Sequence, residues 1–238
     1  MIDLARASDP ALVALLEKHP RVRAIEKDDG GPGVRFRSGE WEREVRQGDS
    51  QTGLRGLIEL MDNNPLVCAD QASTPSPTAT LALIALGPIL AAGMVRQTPA
   101  FVSDLPAEDL DPWLGTVGWA GGCIVSSEPS GTQGAGVAMV EVPNLKDPSE
   151  IDDLYQERYG RSFFVREHEE GEWSADLVAG TPRAVYRLRL THDESVSLLS
   201  IRVLADPKGK LGAAQVIHMM NVMIGYEESL GLEGYSGL

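Results

Sequence analysis

Residues 71–95 carry no charged side chain, and within them "STPSPTATLALIALGPILAAG" (73–93) runs from a turn into a long apolar segment. A fold must bury that segment, in a bilayer or in a protein core. A membrane span needs roughly 20 consecutive apolar residues. Here the apolar part starts only at Ala79, is interrupted by Gly87-Pro88 and lacks flanking aromatic residues. A buried helix is the expected structure. Ser76 is its expected N-cap, followed by Pro77. Four hydroxyls, Ser73, Thr74, Ser76 and Thr78, crowd this helix start. Such a turn can hold an anion, which makes these four candidate ligand-binding residues. Capping alone accounts for Ser76.

The chain has 238 residues, 42% hydrophobic and 24% charged, enough for one large domain or two small ones. The net charge of -14 argues against binding nucleic acid or anionic lipid. Solubility is the plain reading of that charge. The start "MIDLARASDP" has no basic region followed by an apolar stretch, so no signal peptide is expected and a cytoplasmic location is. Cys68 and Cys123 show no CxxC or CxxxH spacing. Two buried thiols are the simpler expectation; one disulfide is the alternative.

"DPALVALLEKH" (9–19) reads as a helix, with Asp9 as N-cap and Pro10 at N1, and "RVRAI" as a following strand. "DDGGPG" (28–33) reads as a turn, and "VRFRSGEWEREV" as a hairpin about Ser38-Gly39. "GLRGLIELMDNN" (53–64) reads as a short helix and "PLVCA" (65–69) as a short buried strand. Strands are expected at "PAFVS", "CIVSS", "GVAMVEV" (136–142), "FFVR" (163–166), "AVYRLRL" (184–190) and "SVSLLSIRVLA" (195–205). "DPSEIDDLYQERYG" (147–160) has a full helix start, with Asp147 as cap, Pro148 at N1 and Glu150 at N3. The last helix is expected over 208–225, with Lys210 at its head. The class is α/β, with a mostly antiparallel sheet in the second half.

The segment "ADPKGKLGAAQVIHMMNVMIGYEESLGL" (205–232) resembles the end of the N-acetyl-γ-glutamyl-phosphate reductases. Those enzymes open their last helix with Asp-Asn-Leu-x-Lys-Gly-Ala-Ala-Gly-Gln-Ala and continue with Met-Asn-Leu-Met-Phe-Gly. Asp206, Lys210, Gln215, Met220, Asn221, Met223 and Gly225 match without a gap, while Pro207 replaces the motif's Asn. "LYQERYGRSFFVR" and "ADLVAGTP" resemble two further family segments. "ALVALLEKHPRVRAI" is similar to the first helix and second strand of the family's nucleotide domain. The resemblance implies a semialdehyde-dehydrogenase-like α/β (α+β) fold: a reduced Rossmann-like remnant over 1–70 and a dimerisation-type domain over 71–238. The latter carries a large, mainly antiparallel sheet flanked by helices.

The same resemblance places the opening turn. Family members carry Asn-Pro-Gly-Cys-Tyr-Pro-Thr-Ala before a buried helix, and that Cys attacks an acyl phosphate. Matching Pro-Thr-Ala to Pro77-Thr78-Ala79 puts Pro75 in the place of the nucleophile, with Cys68 seven positions earlier. The family's Gly-rich pyrophosphate turn reads "ARASDPAL" here, without glycine. Only 27 residues separate Ile25 from Gly53, too few for further βαβ units of ~30 residues. "GTVGWAGG" (115–122) is no substitute, because a strand rather than a helix follows it. The family's His-Arg-His loop matches "NLKDPSEI" (144–151), which has no histidine.

Of the four histidines, His19 falls at the family's His-Pro turn and reads as structural. His168 in "EHEEGE" is a weak metal candidate in a solvated acidic loop, and His192 stands in a turn beside Asp193. His218 takes a place where the family usually has Gln. Lys210, Gln215 and His218 join the four hydroxyls as candidate ligand-binding residues, Lys210 either holding an anion or lying at the surface. No catalytic residue, cofactor or metal is expected. The first hypothesis is a non-redox homologue acting as a homodimeric scaffold in amino-acid-type or secondary metabolism. It would bind a small anionic ligand, a paralogue or a carrier protein. The rival is a cofactor-independent enzyme using Lys210, His218 and a hydroxyl on an anionic or acyl substrate.

Overall fold

A computed structural model describes residues 1–28, 30–128, 134–144, 147, 149–192 and 196–232. Asp29, Pro148, Asp193 and Ser195, read above as turn, helix start, turn and strand start, lie outside them.

The first sheet grows from the N-terminus. Strand β1 (Leu4–Ala7), helix α1 (Pro10–Lys18) and strand β2 (Ile25–Lys27) form a parallel βαβ unit. Asp9 caps α1 by accepting the Leu12 amide at 2.8 Å. β3 (Gly33–Ser38) and β4 (Trp41–Gln47) make the hairpin, with Ser38 opposite Trp41. Gly39 closes it at φ 62°, a region that favours glycine. Helix α2 (Asn63–Cys68) leads to β5 (Gln71–Thr74), which pairs parallel with β4. The order is β2-β1-β3-β4-β5.

One face of this sheet is apolar. Phe36 and Val45 pack there with Leu12, Leu16, Met219 and Met223 in one core. The other face is a lattice of ion pairs: Arg6 with Glu26 and Glu42, Arg35 with Asp28 and Glu44, Arg46 with Glu44. Each exposed pair contributes at most about 1 kcal/mol. Together they keep the face wet, whereas a doubly wound sheet covers both faces with helices.

Helix α3 (Pro77–Ala91) follows, and its residues Thr78–Leu90 are all buried. The chain then passes through β6 (Ala100–Ser103), α4 (Asp111–Leu114), β7 (Ile124–Ser127), β8 (Ala135–Val142), α5 (Ser149–Tyr159), β9 (Val165–Glu167), β10 (Ala184–His192) and β11 (Ser197–Ala205). The second sheet has the order β7-β6-β8-β11-β10-β9. Its interior ladders are antiparallel and its two edge ladders parallel. Alternation turns Ala138, Val140, Leu199, Ile201 and Val203 into one core with α3 and α5. Helix α6 (Ala213–Ile224) returns to the first sheet and packs on α1, α2 and β4. Within the described residues no helix is long and apolar enough to cross a membrane.

The Gly-Pro pair inside α3 has a definite partner. Pro88 has no N–H, so the carbonyl four residues earlier, Ile84, loses its helical donor. The buried Tyr159 hydroxyl of α5 lies 3.2 Å from that oxygen and 3.3 Å from Leu83 O, and its proton is shared between the two. Tyr155 similarly donates to Ala85 O.

Several sequence expectations need correction. "PLVCA" is mostly helix, not strand: Asp62 accepts the Asn64 amide and Pro65 sits in the first turn, where its missing N–H costs nothing. The strand comes later, at β5. "GLRGLIELMDNN" holds only a 3-10 turn over Ile58–Leu60 before α2 begins. The "RVRAI" strand is shifted to β2, leaving a single bridge at Val22. The last helix starts at Ala213 rather than 208. Asp206 holds the preceding residues in a turn by accepting the amides of Lys208 and Gly209 at 2.9 and 2.7 Å. Lys210 therefore lies in that turn, not at a helix head.

Tyr159→Phe leaves the Ile84 carbonyl buried without a donor and is expected to cost about 1–3 kcal/mol. Pro88→Ala restores the backbone donor. In that background the same substitution costs clearly less when measured by chemical denaturation. Equal costs in both backgrounds contradict the pairing.

Candidate functional site

The turn between β5 and α3 holds the four hydroxyls, and each is engaged inside the protein. Ser73 and Thr74 end β5 and are fully buried. Ser73 Oγ accepts the Asp49 amide at 3.1 Å and donates to Thr74 O at 3.2 Å. Thr74 donates to Arg46 O. Pro75 O accepts Gln215 Nε2 at 3.3 Å, and the same nitrogen donates to Thr80 Oγ1 at 3.0 Å. Ser76 caps α3 by accepting the Ala79 amide at 3.2 Å. Thr78 donates to Pro106 O at 3.0 Å.

A residue that sequence reasoning missed completes this turn. Glu108, 29 positions beyond Ala79, places Oε1 3.0 Å from the Ala79 amide and accepts the Ser76 hydroxyl. The α3 N-terminus therefore faces a carboxylate already, one supplied by the chain. Nothing in "PAEDLDP" singles out this glutamate from its acidic neighbours.

Lys210 and His218 meet elsewhere, around a second missed residue. Lys210 is 1% exposed, and its Nζ lies 2.5 Å from Glu59 Oε1. His218 is fully buried, with Nδ1 4.0 Å from the same oxygen and Nε2 3.0 Å from Glu228 Oε2. Phe164 stacks on the imidazole at 4.0 Å between ring centroids and lies 5.2 Å beneath the ammonium. Burial, the largest single influence, works against the Glu59 carboxylate, but the Lys210 ammonium, His218 and the hydrogen bonds to the carboxylate together outweigh it and hold its pKa below the usual range. Burial pushes His218 below an ordinary imidazole, against the opposing pull of its Glu228 hydrogen bond. His218 is thus neutral at pH 7, and Glu59 is balanced by Lys210. A lone acidic residue in the apolar "GLIELM" was the available signal for Glu59, since a buried charge needs a partner.

The other histidines have local partners, and the thiols form no disulfide. His19 Nδ1 accepts the Arg21 amide at 3.2 Å, so its Nε2 donates to Asn221 Oδ1 at 3.0 Å. Asn221 passes the contact on to the carbonyls of Glu228 and Leu230. His168 lies 3.1 Å from Glu172 O. His192 lies 3.0 Å from Ser197 Oγ, but that hydroxyl donates to Asn144 Oδ1 at 2.7 Å and is not poised as a nucleophile. Among the described residues no group of three His, Cys, Asp or Glu could hold a metal ion. The expectation of two buried thiols fails for Cys68, which is exposed at the end of α2. Cys123 is half-buried, and burial together with Asp111 pushes its thiol up to about 11. Both cysteines are free.

A cleft of about 200 Å³ lies where α1, α3 and α6 begin, lined by Asp9, Gln47, Pro77, Lys208, Gly212 and Ala213, among others.

No protein-family model matches the chain. The N-acetyl-gamma-glutamyl-phosphate reductase of Halalkalibacterium halodurans is 39% identical over 77 residues, 32% of this chain. The matched stretch spans 22% of that reductase's length. Among solved structures, aspartate semialdehyde dehydrogenase II from Vibrio cholerae, complexed with ASA, superposes with a TM-score of 0.61 at 11% identity, covering 94% of this chain and 99% of that one. A probable aspartate-semialdehyde dehydrogenase from Pseudomonas aeruginosa gives 0.62 at 11% identity, covering 94% and 98%. The fold is semialdehyde-dehydrogenase-like. The resemblance to the reductase and dehydrogenase family holds in sequence over the matched stretch and in fold over most of the chain.

His218 sets a pH dependence. Its folded pKa lies below that of an ordinary imidazole, about 6.5, so the unfolded chain binds the proton more readily. Stability is full above the unfolded value and falls as pH drops from about 6.5 toward the folded pKa. The buried His19 adds the same sign. Denaturant midpoints are expected to fall between pH 7.5 and 5.5 (about one unit either side of the unfolded imidazole value). His218→Gln should flatten part of that slope; an unchanged slope contradicts a buried neutral His218.

Proposed function

We propose that this chain is a non-redox relative of the acyl-phosphate reductases, working as a homodimeric scaffold that binds a small ligand or a partner protein in amino-acid-type or secondary metabolism. The observation that carries the reading is the turn itself. Pro75, the residue that the resemblance matches to the nucleophilic Cys, has no group that can attack, and its carbonyl is tied to Gln215. Neither thiol supports a substitute. Cys68 ends α2, ahead of β5, and Cys123 has a raised pKa where a nucleophile needs a lowered one.

The rival reading, catalysis by Lys210, His218 and a hydroxyl, gains no support. Lys210 and His218 are 1% and 0% exposed and engaged with Glu59 and Glu228. A substrate needs access to its acid and base.

The dimer reading rests on the outward face of the second sheet. Ile124, Met139 and Leu198 are 63%, 47% and 47% exposed there, with the partly buried Val102 and Val137 beside them. Further along the same face Trp173 packs over Arg187 and Arg202, so the apolar strip has a charged border. A strip of this kind, rimmed by charge, suits a self-complementary interface.

Purified protein supplied with NADPH and N-acetyl-γ-glutamyl phosphate is expected to oxidise no cofactor above background. Protein-dependent turnover would sink the reading. Light scattering should give twice the mass of one chain, and Met139→Glu should weaken the dimer at least about tenfold, or 1.4 kcal/mol. A wild-type monomer at micromolar concentration contradicts the scaffold.

A further inference from the structure

The fold family implies two anions: a dinucleotide pyrophosphate at the start of the first helix, and an acyl phosphate at the turn before the long apolar helix. The residues at both places can be tested for fit. A helix N-terminus binds an anion through its free N–H groups and its dipole. At α1, Pro10 in the first position has no N–H. The Leu12 amide, one of the donors that an anion would use, is taken by the Asp9 carboxylate at 2.8 Å, ahead of the first intrahelical bond from Val13 to Asp9 O. At α3 the same construction recurs. Pro77 in the first position has no N–H. The Ala79 amide, a donor that an anion would use, is shared by Ser76 Oγ and the Glu108 carboxylate, ahead of the first intrahelical bond from Thr80 to Ser76 O. In each first turn a proline removes one donor and a carboxylate takes another. A phosphate arriving at either place meets a negative charge where it needs N–H groups.

The cleft at these helix starts measures about 200 Å³, with Asp9 in its wall. A pyrophosphate entering this cleft meets the Asp9 carboxylate at the helix start where it needs N–H groups. The nicotinamide dinucleotide does not fit the residues present.

We infer that Asp9 and Glu108 are internal ligands: the chain's own carboxylates fill the two anion seats of this fold and close them to external phosphates. The inference deepens the non-redox reading and rests on it, because an active reductase would need both seats open. The two closures differ in origin. Asp9 caps its own helix from the adjacent position. Glu108 arrives from a segment beyond β6 and is anchored beside Thr78 by the Pro106 carbonyl. Glu108 is therefore the one that a substitution can remove while Ser76 still caps α3.

The test is binding, read by calorimetry and by thermal unfolding, with chloride matching the ionic strength. Inorganic phosphate and NADPH are the probes. Wild type is expected to show no saturable heat with either at millimolar concentration, and no rise in Tm. Glu108→Ala is expected to bind phosphate at least about tenfold more tightly than wild type, with a phosphate-dependent rise in Tm. Should that variant fail to fold, Glu108→Gln decides, since it removes the charge and keeps an acceptor. Saturable binding of phosphate or NADPH by wild type overturns the inference, and so does a folded Glu108 variant that binds phosphate no better. Dinucleotide binding without turnover would overturn the closure alone and leave the non-redox reading standing. Turnover would overturn both.

Discussion

The pair of Lys210 and Glu59 is the contact on which the arrangement of this molecule depends. Both side chains are out of water, and their closest atoms are 2.5 Å apart. Taking either charge into a protein interior costs several kcal/mol unless its partner is in place. The pair joins the turn before α6 to the 3-10 turn after β4, two segments far apart in sequence. Leu57 and Ile58, just before Glu59, belong to different hydrophobic cores. Glu59 thus lies where the two cores meet, and Phe164, leading into the second sheet, packs on both Lys210 and His218. The C-terminal helix is thereby fixed against the first sheet with its register set by charge as well as by apolar contact.

That fixing changes what the matching parts of the resemblance mean. Lys210, Gln215 and the hydroxyl-rich turn match or face reductase motif positions, yet the Lys210 ammonium, the Gln215 amide N–H groups and the four hydroxyls are engaged inside the chain. Gln215 ties α6 to Pro75 and Thr80. Ser73 and Thr74 complete strand contacts. Glu108 meets the helix start that an incoming anion would need. The polar machinery of a cleft has the form of a hydrogen-bonded interior. The outer face of the second sheet, by contrast, leaves Ile124, Met139 and Leu198 exposed.

Much of the fold was legible because local rules and tertiary needs agreed. Ser38-Gly39 gave the hairpin and its register, and Ser76-Pro77 gave the start of α3. The strands of the second sheet read correctly from alternation over eight or nine residues in β8, β10 and β11. The failures fall where a short apolar run fits two structures. "PLVCA" is too brief to separate strand from helix by period, and Asp62 decided it. The helix-like "KGKLG" is held as a turn by Asp206, a side-chain contact that no periodicity reveals. The site was less legible for the same reason. Lys210 was visible as a motif position, but its partner Glu59 is 151 residues away, and Glu108 reaches α3 across 29. Long-range pairings of single charges leave almost no trace in one sequence.

The most direct measure of whether this interior is held by its buried pair is a double-mutant cycle of Lys210→Met and Glu59→Gln in chemical denaturation. Each single change should cost about 3–5 kcal/mol by leaving its partner uncompensated. The double change should cost less than the sum, with a coupling of about 1–3 kcal/mol. Single changes below about 0.5 kcal/mol, or costs that simply add, would contradict the account.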